Sequence, residues 1–494
     1  MSATKPDWSD GYVVDVAYVH NFHPGLTPVN LAFAALQAGV RPPDIDAPFA
    51  YLDLGCGNGF TPALIAAACP QADVWANDFN PVHIRNAKAI ADAAGLTNTH
   101  FIEANFSDLL DTTSLPQFDI VVAHGIWSWV SAANRARIVA LLTTRLKPGG
   151  LLLVSYNCHP GWDSLLPLRR LLATAGGSEG GAAERIDRAL GIARRLCDGG
   201  ADYFRNTPAA RETLDVLLRA DRAYIAHEFL NECWSLFHPG EVAAELAPAG
   251  LRYVGPGRTI DGLDRFWLSD DQRALLAEAP DTAARESLRD VILDRRFRHD
   301  LFVREGGQTE PVTTEPVTAA SWFAERRYAL ANSRADCALA LTVRGRETLL
   351  PTTPFTALLD ALAVRPETGV ALAGLPGIAG IAPSEIFEAL GILIATGHVQ
   401  PALPERDQIA RRQSTDRFNA AALEAARMGN PLAALASPVT GSGIGVPGSE
   451  QLLIDALQSG IRMDMLSITD ADGVDIAVRF RDHSMPRLEM LGIL

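Results

Sequence analysis

The stretch that decides the fold is Tyr51–Phe60, YLDLGCGNGF. An apolar run interrupted by Asp53 leads directly into glycines at 55, 57 and 59. Bare backbone straight after a strand lets a ligand approach the main chain closely. The spacing is near GxGxxG, but Phe60 stands where a dinucleotide fingerprint has its third glycine. A phosphate-cradling P-loop is excluded as well, because no Gly-Lys-Ser/Thr follows. Asp53 is the informative residue. A carboxylate two positions before the glycines repels a pyrophosphate and attracts a ligand with a positive centre.

Working outward, strand and helix signals alternate. APFAYLDLG (47–55) reads as a buried strand, and Thr61-Pro62 as the N-cap and first position of a helix that Pro70 stops. ADVWAND (72–78) is a second strand. Asn80-Pro81 opens a helix with Ala87, Ile90, Ala91 and Ala94 on one face and Gly95 as its stop. THFIEAN, FDIVVAHGI and LLLVSYN supply a third, fourth and fifth strand, with a helix capped by Ser131 between the last two. This alternation, with near-continuous apolar strands, predicts an α/β fold: a Rossmann-like doubly wound parallel sheet. Ligands of such sheets lie beyond the carboxyl ends of the strands.

The candidate ligand contacts fall at those ends. Gly55, Cys56, Gly57, Asn58 and Gly59 form the loop, flanked by Asp53. Asp78-Phe79 ends the second strand, about 20 residues past the glycines, where an acid accepts hydrogen bonds from ribose hydroxyls. Asn105 ends the third strand, placed to pair with an adenine amino group while Phe106 packs on the ring. His124-Gly125 ends the fourth strand and lines the pocket floor. A nucleoside with ammonium and sulfonium charges and no phosphate satisfies the whole set, as S-adenosylmethionine (SAM) does; another nucleoside ligand is the alternative. Tyr18 and His20 are expected to fold over it from the N-terminus.

Composition bounds the rest. The chain has 494 residues, long enough for two or three domains. A net charge of −15 argues against a nucleic-acid-coating surface. The six cysteines are scattered without a CxxC pair, and no metal-ligand set is suggested. MSATKPDWSDG lacks an apolar signal region and no apolar run is long enough for a membrane span, so a cytoplasmic location is expected without membrane insertion.

HGIWSWV, VSYNCHPGWDSLLPLRRLL, AYIAHEFLNECWSLFHPGEVAAELAPAGLRYVG and ESLRDVILDRRFRHDLFVREG carry a narrower signal. With the glycine loop, they resemble the bacterial class I SAM-dependent methyltransferases that have a methyltransferase regulatory domain. That family includes protein-lysine methyltransferases of outer-membrane proteins. The resemblance implies SAM as cofactor and methyl transfer as activity, and leaves the acceptor open. It covers residues 10–310 and, more loosely, the remainder.

The expected organisation is an N-terminal lid or helical segment (1–44), the SAM-binding core (45–162), a helical insertion over the strand ends (163–223), and the end of the core (224–270). A helical middle region with a linker (271–336) and a winged-helix-like C-terminal α+β module (337–494) follow. In the middle region, Arg289, Arg295, Arg296 and Arg298 alternate with Asp290, Asp294 and Asp300, which reads as an ion-paired, solvated helix face. ASPVTGSGIGVPGSE reads as a structural loop.

For the chemistry, Trp127, Trp129 and Tyr156 at the fourth and fifth strand ends offer aromatic faces to a cationic acceptor. Asn157 can orient it, and His227 and Glu228 are the acid–base candidates. The expected acceptor is a protein side chain, most simply a lysine nitrogen. A sugar, lipid-linked or other small molecule is the alternative, and a SAM-binding scaffold without turnover is a third reading. The C-terminal module suits protein contact or a homodimer.

Overall fold

The computed structural model describes residues 22–177, 179–229, 231, 233–306, 323–343, 346–462 and 475–494, without the side chains of 223, 224, 226, 227 and 346. Tyr18, His20, most of the 305–319 linker and the turn at Arg344-Gly345 lie outside the described residues.

A seven-stranded sheet organises the chain: β1 (Phe49–Leu54), β2 (Ala72–Asp78), β3 (Thr99–Glu103), β4 (Phe118–Ala123), β5 (Leu146–Asn157), β6 (Leu251–Pro256) and β7 (Phe297–Arg304). Their spatial order is β3-β2-β1-β4-β5-β7-β6. The first five strands are parallel, and β7 runs antiparallel to both β5 and β6. The order reverses between β1 and β4, the crevice where doubly wound sheets hold their ligands. Both faces are buried. On one, Leu52, Leu152, Val154 and Phe302 pack with Ile138, Leu141 and Leu142 of helix α5 (Ala132–Arg145). On the other, Tyr51, Leu151, Leu153 and Leu301 pack with Ile65 and Ala66 of helix α2 (Phe60–Ala68). Adjacent strand residues therefore face opposite cores, as pleating requires.

The helix after the glycine loop starts earlier than its sequence suggests. Gly59, at φ 70°, is the cap, so Thr61 lies inside the first turn, where its hydroxyl accepts the amide of His23. Helix α3 (Pro81–Ala93) has the expected Asn80 cap, which accepts the Val82 amide. Ser131 likewise caps α5.

The reading of 271–336 as a helical region outside the core is corrected by β7. Helix 282–293 ends at Asp294, in the left-handed conformation at φ 46°, and the following FRHDLFVR is a strand at the centre of the sheet's second half. Of the arginine–aspartate pattern, Arg289, Asp290, Arg298 and Asp300 are buried rather than solvated, while Asp294 and Arg296 remain exposed. Arg298, 1% exposed, bonds Asp300, Asp290 and Glu286, and Asp300 accepts the Tyr156 hydroxyl at 2.5 Å. Buried charges of this kind persist only when paired.

The helices of 166–229 form their own core, built on Leu172, Ile186, Leu190, Leu214, Ile225 and Phe229, and enter between β5 and β6. Of the N-terminal segment expected as a lid or a helix, the described part contains a helix (Pro28–Gln37). It is buried between the sheet and the C-terminal part, where Phe33 meets Tyr328 and Phe387. That part contains a three-stranded antiparallel sheet (327–330, 367–368 and 399–402), a small hairpin (340–343 and 346–349) and helices 355–364 and 383–395. Helix 408–427 and the hairpin 434–445 then lie against α2, with Phe418 stacked on Phe60. The glycine-rich 437–450 stretch is thus a hairpin and the start of a helix, a structural element.

Candidate active site

The crevice between β1 and β4 collects the residues singled out by the loop. Gly55, Gly57 and Gly59 all have left-handed backbone, at φ 71°, 56° and 70°. Two of them also permit close packing. A Cβ on Gly55 would lie 2.2 Å from Ile126 Cδ1, and one on Gly59 would lie 2.3 Å from Ala87 Cβ. The loop is thereby pressed against the segment following β4 on one side and α3 on the other.

Asp78 fastens this loop. Its Oδ2 accepts the Gly57 amide at 3.0 Å, while Oδ1 accepts the Asn80 amide at 2.8 Å and meets His83 Nδ1 at 3.2 Å. A carboxylate has about four acceptor positions, so little capacity remains for a ribose. Asp53 is the opposite case. It is 4% exposed and has no hydrogen-bond partner among the described residues. Burial, with the charge of Asp78 adding to it, raises its carboxyl to about 7. A buried carboxyl without a partner fits an ammonium-bearing ligand well.

Asn58 is buried and accepts the Asn86 amide, and the half-buried Cys56 thiol leans on the Gly57 carbonyl. Phe79 and Phe106 are half-buried at the ends of β2 and β3. Asn105 is the cap of helix 106–111. Its side-chain oxygen already accepts the Ser107 and Asp108 amides, so the expected pairing with an adenine amino group is replaced by a free amide donor.

On the β4 side, His124, Ser155 and His299 continue the sheet face of Val122, Leu153 and Leu301, the same face that carries Asp53. Ser155 Oγ accepts the Gly125 amide at 2.8 Å and contacts His124 Nδ1 at 3.0 Å. His299 stacks on His124 at 5.3 Å, and His23 meets it at 4.6 Å. Burial and the neighbouring imidazoles hold His124 well below its ordinary value, and burial with Arg258 takes His299 to about 3. All three rings are therefore neutral near pH 7. His23 and His299 escaped the sequence reading. The signal for His299 was the strand pattern of LFV, masked by the helical arginine spacing before it.

Trp127 and Tyr156 are fully buried in the core, so neither presents a face to an acceptor. The half-buried rings nearby are Trp129, Trp162 and Trp234. Trp234 lies 6.5 Å from Trp129 and 5.3 Å from Trp162. Asn157 is 4% exposed, and its Nδ2 has no partner among the described residues. Glu228 is half-buried in helix 222–229, where burial raises its carboxyl to about 7 against the opposing pull of Arg169. His227 belongs to the same helix, and its side chain lies outside the described residues. Among the described residues, no group of His, Cys, Asp and Glu could hold a metal ion, and no helix is long and apolar enough to cross a membrane.

Residues 45–173 match the methyltransferase-domain family, and residues 221–304 match the family described as predicted methyltransferase regulatory domain. An uncharacterized protein of Synechocystis is 35% identical over 90% of this chain and 87% of its own length. The chain belongs to the SAM-dependent methyltransferases that carry a methyltransferase regulatory domain. An uncharacterized protein of Rickettsia prowazekii is 26% identical over 44% of this methyltransferase and 83% of its own length. The structure of PKMT2 from Rickettsia typhi in complex with AdoHcy is similar at TM-score 0.67 and 19% identity, covering 92% of this methyltransferase and 94% of that chain. At that identity the likeness concerns the fold. The regulatory-domain stretch of this methyltransferase includes β6 and β7, so it completes the catalytic sheet rather than standing apart from it.

Proposed function

We propose that this methyltransferase modifies a protein, on a lysine nitrogen. The observation that supports the reading is Glu228. Its half-buried carboxyl, raised to about 7, stands on the insertion beside Arg169, which stacks on Trp234 of the half-buried tryptophan group. A carboxyl with that value exchanges a proton near neutral pH, and aromatic faces favour a cation. Lysine must lose its proton before it can attack.

SAM, when bound, supplies a methyl group already activated by its sulfonium. The remaining work belongs to this chain. Asp53 neutralises the ammonium of the cofactor. Asp78 keeps the glycine loop in place and offers its remaining acceptor position to the ribose. Phe79, Phe106 and the free amide of Asn105 border the base. Gly125 and His124 close the acceptor side with an uncharged wall, which favours a neutral amine over an ammonium. Asn157 orients the acceptor, and Glu228 takes its proton.

The test is incubation of the purified protein with radiolabelled SAM and cell-lysate fractions, followed by mass spectrometry of labelled material. Label on lysine side chains is expected. Label confined to polysaccharide or small molecules would reject the lysine reading in favour of a hydroxyl or carboxylate acceptor, which the neutral His124 also suits. Glu228→Gln should lower kcat at least tenfold and leave SAM affinity unchanged.

A further inference from the structure

Arg169 stands out among the half-buried arginines of the insertion. Its guanidinium carbon lies 4.1 Å above the Trp234 ring. Among the described residues no carboxylate comes within ion-pairing distance of it, and its one hydrogen bond is a long 3.5 Å contact from Nη2 to the Asn231 carbonyl. Its Nε is buried without an acceptor, and so is the indole Nε1 of Trp234 directly beneath it. Two stacked groups therefore carry buried N–H donors with no acceptor among the described residues. Native interiors seldom leave such donors unmatched unless a water or a ligand completes them.

The location ties this pair to the acceptor side of the crevice. The Ser235 amide bonds the Ser128 carbonyl at 2.9 Å, and Ser128 Oγ accepts the Asn157 amide at 2.8 Å. Trp234 thus sits beside the Trp127–Trp129 turn. That turn directly follows Ile126, the residue pressed against Gly55.

We propose that Arg169 and Trp234 form an oxyanion subsite that anchors a carboxylate of the methyl acceptor. A guanidinium matches a carboxylate edge to edge, and its stacking on the indole fixes the plane of that fork. A carboxylate fits better than a phosphate, because there is one fixed positive charge and Glu228 stands close to it. Two sources supply this chemistry: an acidic side chain flanking the acceptor lysine in a polypeptide, or the carboxylate of a small acceptor. The proposal rests on the methyltransferase reading of the crevice and adds what the insertion recognises.

The experiment uses the full chain saturated with SAM's demethylated product. One arm titrates a lysine peptide flanked by glutamates and the same peptide flanked by glutamines. The other titrates succinate and succinamide. Calorimetry and tryptophan fluorescence report binding to wild type, Arg169→Gln, Arg169→Lys and Trp234→Phe, and SAM affinity is measured for each as a check on folding. The expected result is at least tenfold tighter binding of the acidic peptide, lost in Arg169→Gln and weakened in Arg169→Lys. A carboxylate preference seen only with succinate upholds the subsite and rejects the protein acceptor. Equal binding of the acidic and neutral ligands by wild type overturns the subsite, whether or not the variants fold. A lysine peptide methylated equally well by wild type and Arg169→Gln overturns it while leaving the lysine reading intact.

Discussion

The carboxyl groups of Asp53 and Asp78 stand at the ends of neighbouring parallel strands, and the charge on Asp78 adds to burial in holding Asp53 at about 7. Asp78 is tied down by two backbone amides and His83, whereas Asp53 has no hydrogen-bond partner among the described residues. One acid builds the loop, and the other keeps its oxygens unbonded among the described residues.

This asymmetry makes the Asp53 contribution to stability depend on pH. An aspartate raised from its ordinary value to about 7 opposes folding when ionised, by on the order of 4 kcal/mol. The penalty is absent below about pH 4, grows as pH rises, and is complete above about pH 7. Asp53→Asn should therefore raise the melting temperature of the ligand-free protein at pH 8 and leave it unchanged near pH 4.

Binding of an ammonium beside Asp53 should lower its value and release a proton. At pH 7 about half a proton per cofactor is expected. Calorimetric titration with SAM in two buffers of different ionisation enthalpy measures that number directly. Asp53→Asn should abolish the buffer dependence and weaken affinity; an unaltered buffer dependence would exclude Asp53 as the ammonium partner.

Gly59 tests the packing of the loop. Its φ of 70° and the 2.3 Å approach to Ala87 Cβ, with Ala87 Cα at 3.1 Å, leave no room for a methyl group. Gly59→Ala should cost about 2–4 kcal/mol through strain and overlap together. Gly149 has a similar φ of 77° with open space around it, so Gly149→Ala isolates the conformational part and should cost only about 1 kcal/mol. Denaturant midpoints of the two variants separate the effects.

Arg298 holds three acids together inside the sheet. Arg298→Met leaves Asp300 buried without a cation and takes from Glu286 and Asp290 one of the two arginines each pairs with, a loss of about 3–5 kcal/mol. Exposed Arg265 pairs with Glu388 at 3.1 Å, and Arg265→Met should change stability by less than about 1 kcal/mol. Chemical denaturation of both variants checks the contrast.

How much of this was legible beforehand follows from how local each signal is. Asp53, the glycines, Asp78 and the first five strands could be read because hydrophobic alternation, caps and turn residues act within a few positions along the chain. The expected roles of Trp127 and Tyr156 failed because strand-end aromatics look alike in sequence, whichever face they point to. Trp127 and Tyr156 turn into the core, and half-buried Trp129, Trp162 and Trp234 gather at the surface from three separate segments.

The sequence by itself determined the α/β order of the first five strands, the glycine loop and the placing of Asp53 and Asp78 at neighbouring strand ends. Only the tertiary structure decided that FRHDLFVR would enter the sheet between β5 and β6. A strand's place depends on partners more than 140 residues away, Tyr156 for Arg298 among them, and no periodicity within the segment encodes them. The imidazole group of His23, His124 and His299 and the unmatched donors of Arg169 and Trp234 arise for the same reason. Their chemistry comes from burial and proximity, which exist only once distant segments have packed.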